Sequence, residues 1–213
     1  MTKTTLRLMP LGGSVTYGVG SSNGNGYRDL LRDMLLANDF DVLLVGSRKS
    51  GSMSNSNNEG WRGHRLDQIE KKARRSVDTL LPNVFTINAG SNDCIQGFQM
   101  NLFGERMSHM LEYLWRTSPL STVVLSTLLV NANKEINSRA LHANSQLRDL
   151  VESKAAEEKR IVLADMHSFE GPQLGELVDG THPNDEGYKK MAVIWFNAIQ
   201  NAQAKGFLTN SNT

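Results

Sequence analysis

Five short apolar runs, each followed by a longer segment of helical pattern, constrain the fold of this chain more than any other feature. Each run is rich in Val, Ile, Leu or Phe and is apolar on both alternating faces. The predicted strands are Leu6–Leu11, Val42–Val45, Val84–Asn88, Thr122–Ser126 and Ile161–Asp165. Such strands are typical of a parallel sheet that is covered by helices on both sides.

The segments between the runs carry apolar residues at helical spacing. The predicted helices are Tyr27–Asn38, Arg65–Leu80, Phe103–Thr117, Ser138–Lys159 and Asp185–Ala204. Strands that alternate with helices predict an α/β protein, a flavodoxin-like three-layer α/β/α sandwich with a five-stranded parallel sheet. The polar, low-complexity stretch Ser50–Asn58 is interpreted as a flexible loop after the second strand.

The length and charge of the chain narrow the classes of protein and partner. A chain of 213 residues fits one domain, residues 1–213. The net charge is +1, and the only dense basic cluster, formed by Lys71, Lys72, Arg74 and Arg75, has acids nearby. Because nucleic-acid binding needs a broad basic face, we expect no nucleic-acid partner.

The chain carries no segment with the pattern of a membrane anchor or a signal peptide. No apolar run approaches the ~20 residues of a membrane helix, and no hydrophobic region follows the first residues. The lone cysteine, Cys94, cannot form an intrachain disulfide and is expected to be a buried small side chain. We expect no membrane partner and a monomer.

Four polar, glycine-rich segments come after the first, second, third and fifth predicted strands. They are Gly12–Gly18, Gly60–His64, Asn88–Asp93 and Asp179–Pro183, the last of which precedes the final helix. Sites in open α/β sheets lie at the carboxyl ends of the strands. These four segments are therefore where the chemistry is expected.

Two of the segments carry the residue types of nucleophilic catalysis. Ser14 follows two glycines at a strand end, where a tight turn exposes the hydroxyl to substrate. Asp179 lies three residues before His182, so it can fold back onto the imidazole and fix its tautomer. The alternatives are a helix-capping or phosphate-cradling role for Ser14, and a helix-capping role for His182.

Gly63 and Asn92 are the candidate oxyanion donors. A backbone N–H and an asparagine side-chain N–H together can stabilise the charge of a tetrahedral intermediate. The alternative for Asn92 is a turn residue, because Gly-Ser-Asn-Asp is good turn chemistry.

Taken in order, the four segments resemble the SGNH subgroup of the GDSL hydrolases. The matching residues are Ser14, Gly63, Asn92 and His182. The resemblance implies that Ser14 is the nucleophile and that His182 is its base, oriented by Asp179. It also implies an oxyanion hole formed by the backbone N–H groups of Ser14 and Gly63 and by the Asn92 amide. The chain departs from the family at position 13, where the family usually has aspartate and this chain has glycine.

A narrower resemblance points to the substrate. Leu8–Gly18, Glu59–Gly63 and Asp179–Asn184 are similar to the fungal carbohydrate esterase family 3, which resembles acetyl xylan esterases. This implies a secreted enzyme that acts on acetylated carbohydrate, although a cytoplasmic location stays open. It implies no cofactor and no catalytic metal. Some members bind a structural calcium ion, so that possibility stays open. This chain, however, has no dense acidic loop of the EF-hand kind.

The sequence therefore predicts a serine esterase that hydrolyses short-chain acyl esters. The favoured substrates are acetyl esters of xylan or related carbohydrates. Two alternatives stay open at this point. One is a lipid-directed esterase, thioesterase or lysophospholipase on the same scaffold. The other is a non-catalytic flavodoxin-like module that binds a phosphate or a nucleotide.

Overall fold

A computed structural model describes residues 3–209 as a central sheet between two layers of helices. The strands are β1 (Thr4–Gly12), β2 (Phe40–Leu44), β3 (Arg48–Lys49), β4 (Asn57–Gly60), β5 (Val84–Asn88), β6 (Thr122–Ser126) and β7 (Ile161–Ala164). The helices are α1 (Ser14–Tyr17), α2 (Arg28–Ala37), α3 (Leu66–Ala73), α4 (Val77–Leu80), α5 (Ser91–Gln96), α6 (Phe103–Thr117), α7 (Lys134–Ala156) and α8 (Asp185–Ala204). Two short 3₁₀ turns cover Met100–Leu102 and Leu174–Glu176.

The sheet has β1 at its centre. Strand β5 pairs in parallel with the second half of β1, and β6 and β7 continue the sheet on that side. On the other side, β2 pairs in parallel with residues 4–8, and β4 pairs with residues 11–12. The five predicted strands thus lie in the order β2-β1-β5-β6-β7, and the predicted α/β sandwich is confirmed.

Both faces of the sheet are buried, which is why its strands read as continuous apolar runs. One core lies under α3, α6 and α7 and includes Met9, Leu11 and Phe85. The other lies under α2 and α8 and includes Leu6 and Trp195. No helix within residues 3–209 is both long and apolar enough to cross a membrane.

The predicted number of strands is wrong, because the sheet has seven strands and not five. The two additional strands are β3 and β4, which pair antiparallel with each other. Asn58 and Glu59 of β4 are both fully buried, yet they are polar. Their side chains bond to Ser50, Ser56 and Ser47, which offsets the cost of burial. Hydropathy cannot detect a strand that is buried in this way.

The Ser50–Asn58 stretch is also more ordered than the flexible loop expected. The guanidinium of Arg28 is fully buried and donates hydrogen bonds to the backbone carbonyls of Tyr17, Gly24, Ser50 and Ser56. One cation therefore ties this stretch to the end of α1. Burial lowers the pKa of Arg28 below its ordinary value.

Two helix boundaries differ from the prediction. Helix α7 begins at Lys134 and not at Ser138, because the Asn133 side chain accepts hydrogen bonds from the N–H groups of the first turn. The helix predicted over Arg65–Leu80 is instead two helices, α3 and α4, separated by a turn at residues 74–76.

Candidate active site

Two glycines at the end of β1 present Ser14 at the edge of the sheet. A Cβ atom on Gly12 would lie 2.1 Å from the backbone oxygen of Asn88 and 2.4 Å from Thr16 Oγ1. Gly13 has ordinary φ of −94°, and a Cβ atom there would have only Asn92 Nδ2 within 4 Å, at 3.9 Å. The first glycine is therefore required by packing against β5, whereas the second leaves open space beside the serine.

This contrast predicts opposite outcomes for two neighbouring substitutions. Gly12→Ala should lower the free energy of unfolding by about 3 kcal/mol or more, because the neighbouring backbone of β5 cannot move away. Gly13→Ala should stay within about 1 kcal/mol of the wild-type protein. Urea unfolding of the two variants side by side measures this, and equal stability of the two would contradict the packing described for Gly12.

The fold brings together the serine, the histidine and the aspartate that the sequence singled out. Ser14 Oγ lies 2.7 Å from His182 Nε2, although the two residues are 168 positions apart in the chain. On the other side of the ring, His182 Nδ1 lies 2.7 Å from Asp179 Oδ2. With Nδ1–H donating to the carboxylate, Nε2 is free to accept the proton of the serine hydroxyl.

The turn from Asp179 to His182 also holds the carboxylate in place. Asp179 Oδ1 accepts hydrogen bonds from the backbone N–H groups of Thr181, at 3.0 Å, and His182, at 2.8 Å. Partial burial by itself would raise the pKa of Asp179, but the hydrogen bonds from the ring and the two N–H groups outweigh it and lower that pKa. Asp179 is therefore an anion over the whole range in which a histidine base is neutral.

The three residues predicted to supply oxyanion donors, Ser14, Gly63 and Asn92, line one open cleft together with His182. Within residues 3–209, neither the backbone N–H of Ser14 nor that of Gly63 donates to a protein acceptor. Asn92 Nδ2 donates to the backbone oxygen of His64 at 3.1 Å. An amide nitrogen carries two hydrogens, so one N–H of Asn92 is left for a ligand. The cleft is lined by Ser14, Val19, Arg62, Gly63, Ser91, Asn92, Ile95, Thr181 and His182.

Asp93, next to Asn92, bonds to the helix that follows the Gly60–His64 segment, and it was not singled out from the sequence. It is fully buried and accepts a 2.9 Å hydrogen bond from the backbone N–H of Leu66 and a 2.7 Å bond from Arg106. Burial raises the pKa of this carboxyl, although its two partners favour the anion. Asp93 thereby holds the start of α3, and the Gly63 turn before it, against α5.

The loop after β6 is a further part of the site that sequence reasoning missed. Asn131 Nδ2 donates to Thr181 Oγ1 at 3.0 Å, and the Ala132 N–H donates to the Gly180 oxygen at 2.9 Å. Asn131 is itself held, because its N–H donates to Asn137 and its side-chain oxygen accepts from the Asn133 N–H. The sequence feature that could have indicated this loop is the group of three asparagines, Asn131, Asn133 and Asn137, around the start of α7.

Cys94 and two further histidines, His64 and His167, are not among the residues that line the cleft. Cys94 is 1% exposed, and burial raises the pKa of its thiol to about 12, so it is not a nucleophile at neutral pH. His64 Nδ1 contacts the Arg62 oxygen, and His167 Nδ1 contacts the Leu128 oxygen. Residues 3–209 contain no cluster of three or more His, Cys, Asp or Glu side chains that could hold a metal ion.

With this geometry in place, comparison with known proteins identifies the family. The family model described as GDSL-like Lipase/Acylhydrolase matches residues 8–195. The chain belongs to this family. This membership supports a carboxylic ester hydrolase over the non-catalytic alternative, and the resemblance inferred from the four segments is confirmed.

Individual relatives agree with this assignment. A multidomain esterase from Ruminococcus flavefaciens is 26% identical over 223 residues, which is 92% of this chain and 28% of the relative's length. The chain therefore spans little more than a quarter of that protein.

Two solved structures share the fold over nearly their whole length. A family 3 carbohydrate esterase from Clostridium thermocellum has a TM-score of 0.82 and 23% identity, covering 94% of this chain and 98% of that one. A carbohydrate esterase family 3 protein from Talaromyces cellulolyticus has a TM-score of 0.80 and 19% identity, covering 94% and 99%.

Proposed function

We propose that this esterase hydrolyses acetyl esters of carbohydrates, with Ser14 as nucleophile, His182 as general base and acid, and Asp179 as the group that orients the histidine. The observation that carries the proposal is the continuous pair of 2.7 Å contacts from Ser14 through His182 to Asp179. A serine hydroxyl in such an arrangement loses its proton as it attacks.

The reaction follows in two steps. His182 Nε2 takes the hydroxyl proton while Ser14 Oγ bonds to the carbonyl carbon, and the carbonyl oxygen becomes an anion. The N–H groups of Ser14 and Gly63 and the free N–H of Asn92 stabilise that anion. The C–O bond to the alcohol then breaks, and His182 returns the proton to the departing oxygen. Water, deprotonated by His182, attacks the acyl-serine and releases the acid.

The choice of acetyl carbohydrate rests on the kinds of protein this chain resembles. Both solved structures described above are family 3 carbohydrate esterases. The lipid-directed alternative is supported by one observation, since Ile95 lines the cleft and is 42% exposed, so it offers apolar surface to an acyl chain. Rates with acetate and octanoate esters of one alcohol distinguish the two, and we expect acetate to be faster.

A covalent probe and a natural polymer together test the proposal. A fluorophosphonate should add one phosphonyl group to the protein, and peptide mass spectrometry should place it on Ser14, because only an activated serine reacts. The same protein should release acetate from acetylated xylan. Labelling of another serine, or of none, would overturn the assignment of the nucleophile. Labelling of Ser14 without acetate release would overturn only the substrate.

The Asn131 contact yields a prediction about positioning. Asn131→Ala should lower kcat roughly five- to ten-fold, the effect of about one hydrogen bond, with little change in KM, because Thr181 loses the donor that fixes the Asp179–His182 turn. Kinetics with a small acetate ester measure this.

Asn133→Ala is the matched control for that variant. It removes the cap of α7 and should lower the free energy of unfolding by about 1 kcal/mol. It keeps the backbone N–H that bonds to Asn131, so kcat should stay at the wild-type value. An equal loss of kcat in both variants would mean that Asn131 acts only through stability.

A further inference from the structure

Three cations lie in a row that begins in the catalytic cleft, and we call Arg62, Arg48 and Lys72 the cation row. Arg62 lines the cleft, and its Cζ lies 6.0 Å from the centroid of the Tyr17 ring. Arg48 Cζ lies 5.7 Å from the same centroid and 4.7 Å from that of Trp61. Lys72 Nζ lies 4.5 Å from the Trp61 centroid. The two rings thus link the three cations.

The cation row has no acidic partner within residues 3–209. None of the three side chains makes an ion pair within 4.0 Å or a hydrogen bond to another described residue. Some other cations do have such a partner, as in the 2.7 Å contact between Arg106 and Asp93. Aromatic faces offset only part of the cost of grouping like charges.

The buried carboxylate of Glu59 makes no ion pair with the cation row. Glu59 is fully buried, and its oxygens accept hydrogen bonds from neutral donors, namely Ser47 and the Trp61 indole N–H at 2.8 Å. Arg62 is the exposed member of the row, so its charge faces solvent.

The spacing of the row allows the fields of its members to add. Arg48 and Arg62 each lie within 6.0 Å of one ring centroid, so twice that distance is the most that can separate them. This is close to the Debye length of ~8–10 Å at physiological ionic strength. An anion that lies close to both guanidinium groups is therefore attracted by both at once.

The position of the row assigns it to the alcohol part of the substrate. Arg62 directly precedes Gly63, a proposed oxyanion donor that lines the cleft, and the row leads from there along Tyr17 and Trp61. A two-carbon acetyl group held at Ser14 cannot extend along it. We infer that the alcohol is a sugar chain that carries carboxylates, as uronic acids do, and that the cation row binds those carboxylates beside the ester. This inference rests on the proposed esterase function.

The test compares one polymer with and without its carboxylates. Glucuronoxylan and the same polymer carboxyl-reduced are acetylated chemically to equal extents, and acetate release is followed with the wild-type protein. We expect kcat/KM to be roughly three- to ten-fold higher on the charged polymer at low salt, and this advantage to disappear near 0.5 M NaCl. Equal rates on the two polymers at low salt would overturn the inference.

Substitutions in the cation row test whether these residues cause the preference for the charged polymer. Arg62→Gln should lower the ratio of charged-polymer to reduced-polymer kcat/KM about two- to three-fold, and adding Arg48→Gln should remove the preference. Arg75→Gln is the matched control, since Arg75 is exposed near α3 and touches neither ring, and it should keep the wild-type ratio. A loss as large in Arg75→Gln would mean that overall charge and not the row is responsible.

Failure of this inference and failure of the proposed function give different results. If Ser14 is not the nucleophile, Ser14→Ala retains activity on both polymers and on a small acetate ester. If only the inference fails, Ser14→Ala is inactive while the wild-type protein treats both polymers alike. A preference for a sulfated polymer over the uronic acid polymer would also contradict the assignment to carboxylates.

Discussion

Ser14→Ala is expected to lower kcat for a chromogenic acetate ester by roughly 10⁴–10⁶-fold, because in the proposed mechanism Ser14 alone forms the acyl-enzyme. The residual rate would come from the oxyanion donors and from substrate binding alone. His182→Ala should be comparably severe, since Ser14 Oγ makes its one side-chain hydrogen bond within residues 3–209 to that ring. Steady-state kinetics on purified variants measure both losses.

The stability of these variants separates chemistry from folding. Ser14 Oγ faces the cleft and contributes no bond to the core, so Ser14→Ala should unfold at nearly the wild-type temperature. Ser138→Ala, which changes an exposed serine on α7, is a control for handling and should retain full activity. Substantial turnover by a folded Ser14→Ala protein would sink the mechanism.

Asn92→Ala is expected to lower kcat by ~10²–10³-fold with KM little changed, the usual effect of one lost oxyanion donor. In the proposed mechanism, the N–H that is not bonded to His64 acts on a charge that exists only after attack, so it contributes to the transition state and not to substrate binding. Steady-state measurement of kcat and KM separately tests this split.

Asn92→Asp sharpens that prediction. The replacement keeps the shape of the side chain, but it has no N–H and adds a negative charge beside the oxyanion, so it should be at least as slow as Asn92→Ala. A variant whose KM rises while kcat stays unchanged would instead assign Asn92 to ground-state binding.

The parts of this fold that the sequence predicted are those that depend on apolar periodicity. The five apolar strands and the final helix, Asp185–Ala204, lie where the pattern placed them, because a strand covered on both faces must be apolar on both. Strand β4 was not predicted from apolar periodicity, because its buried residues are polar. Its buried Asn58 donates hydrogen bonds to residues outside the strand and its buried Glu59 accepts them from Ser47, and hydropathy reports neither.

In the candidate site, too, the sequence identified some residues and missed others. Its central side chains were identifiable because Ser14, Gly63, Asn92 and His182 stand in recognisable local segments. The residues that hold those segments were not, because Asp93 acts on Leu66 and Asn131 acts on Thr181 across large separations in the chain. Their roles are long-range contacts, and residue type alone does not specify them.

By itself, then, the sequence determined the α/β class of the fold and the chemical groups available for acyl transfer, since both follow from residue type and local spacing. The tertiary structure alone decided that Ser14 and His182 meet at 2.7 Å, because only parallel strands with aligned carboxyl ends bring the first loop and the last to one edge. It also decided that Arg62, Arg48 and Lys72 form one row, which depends on the pairing of β3 with β4.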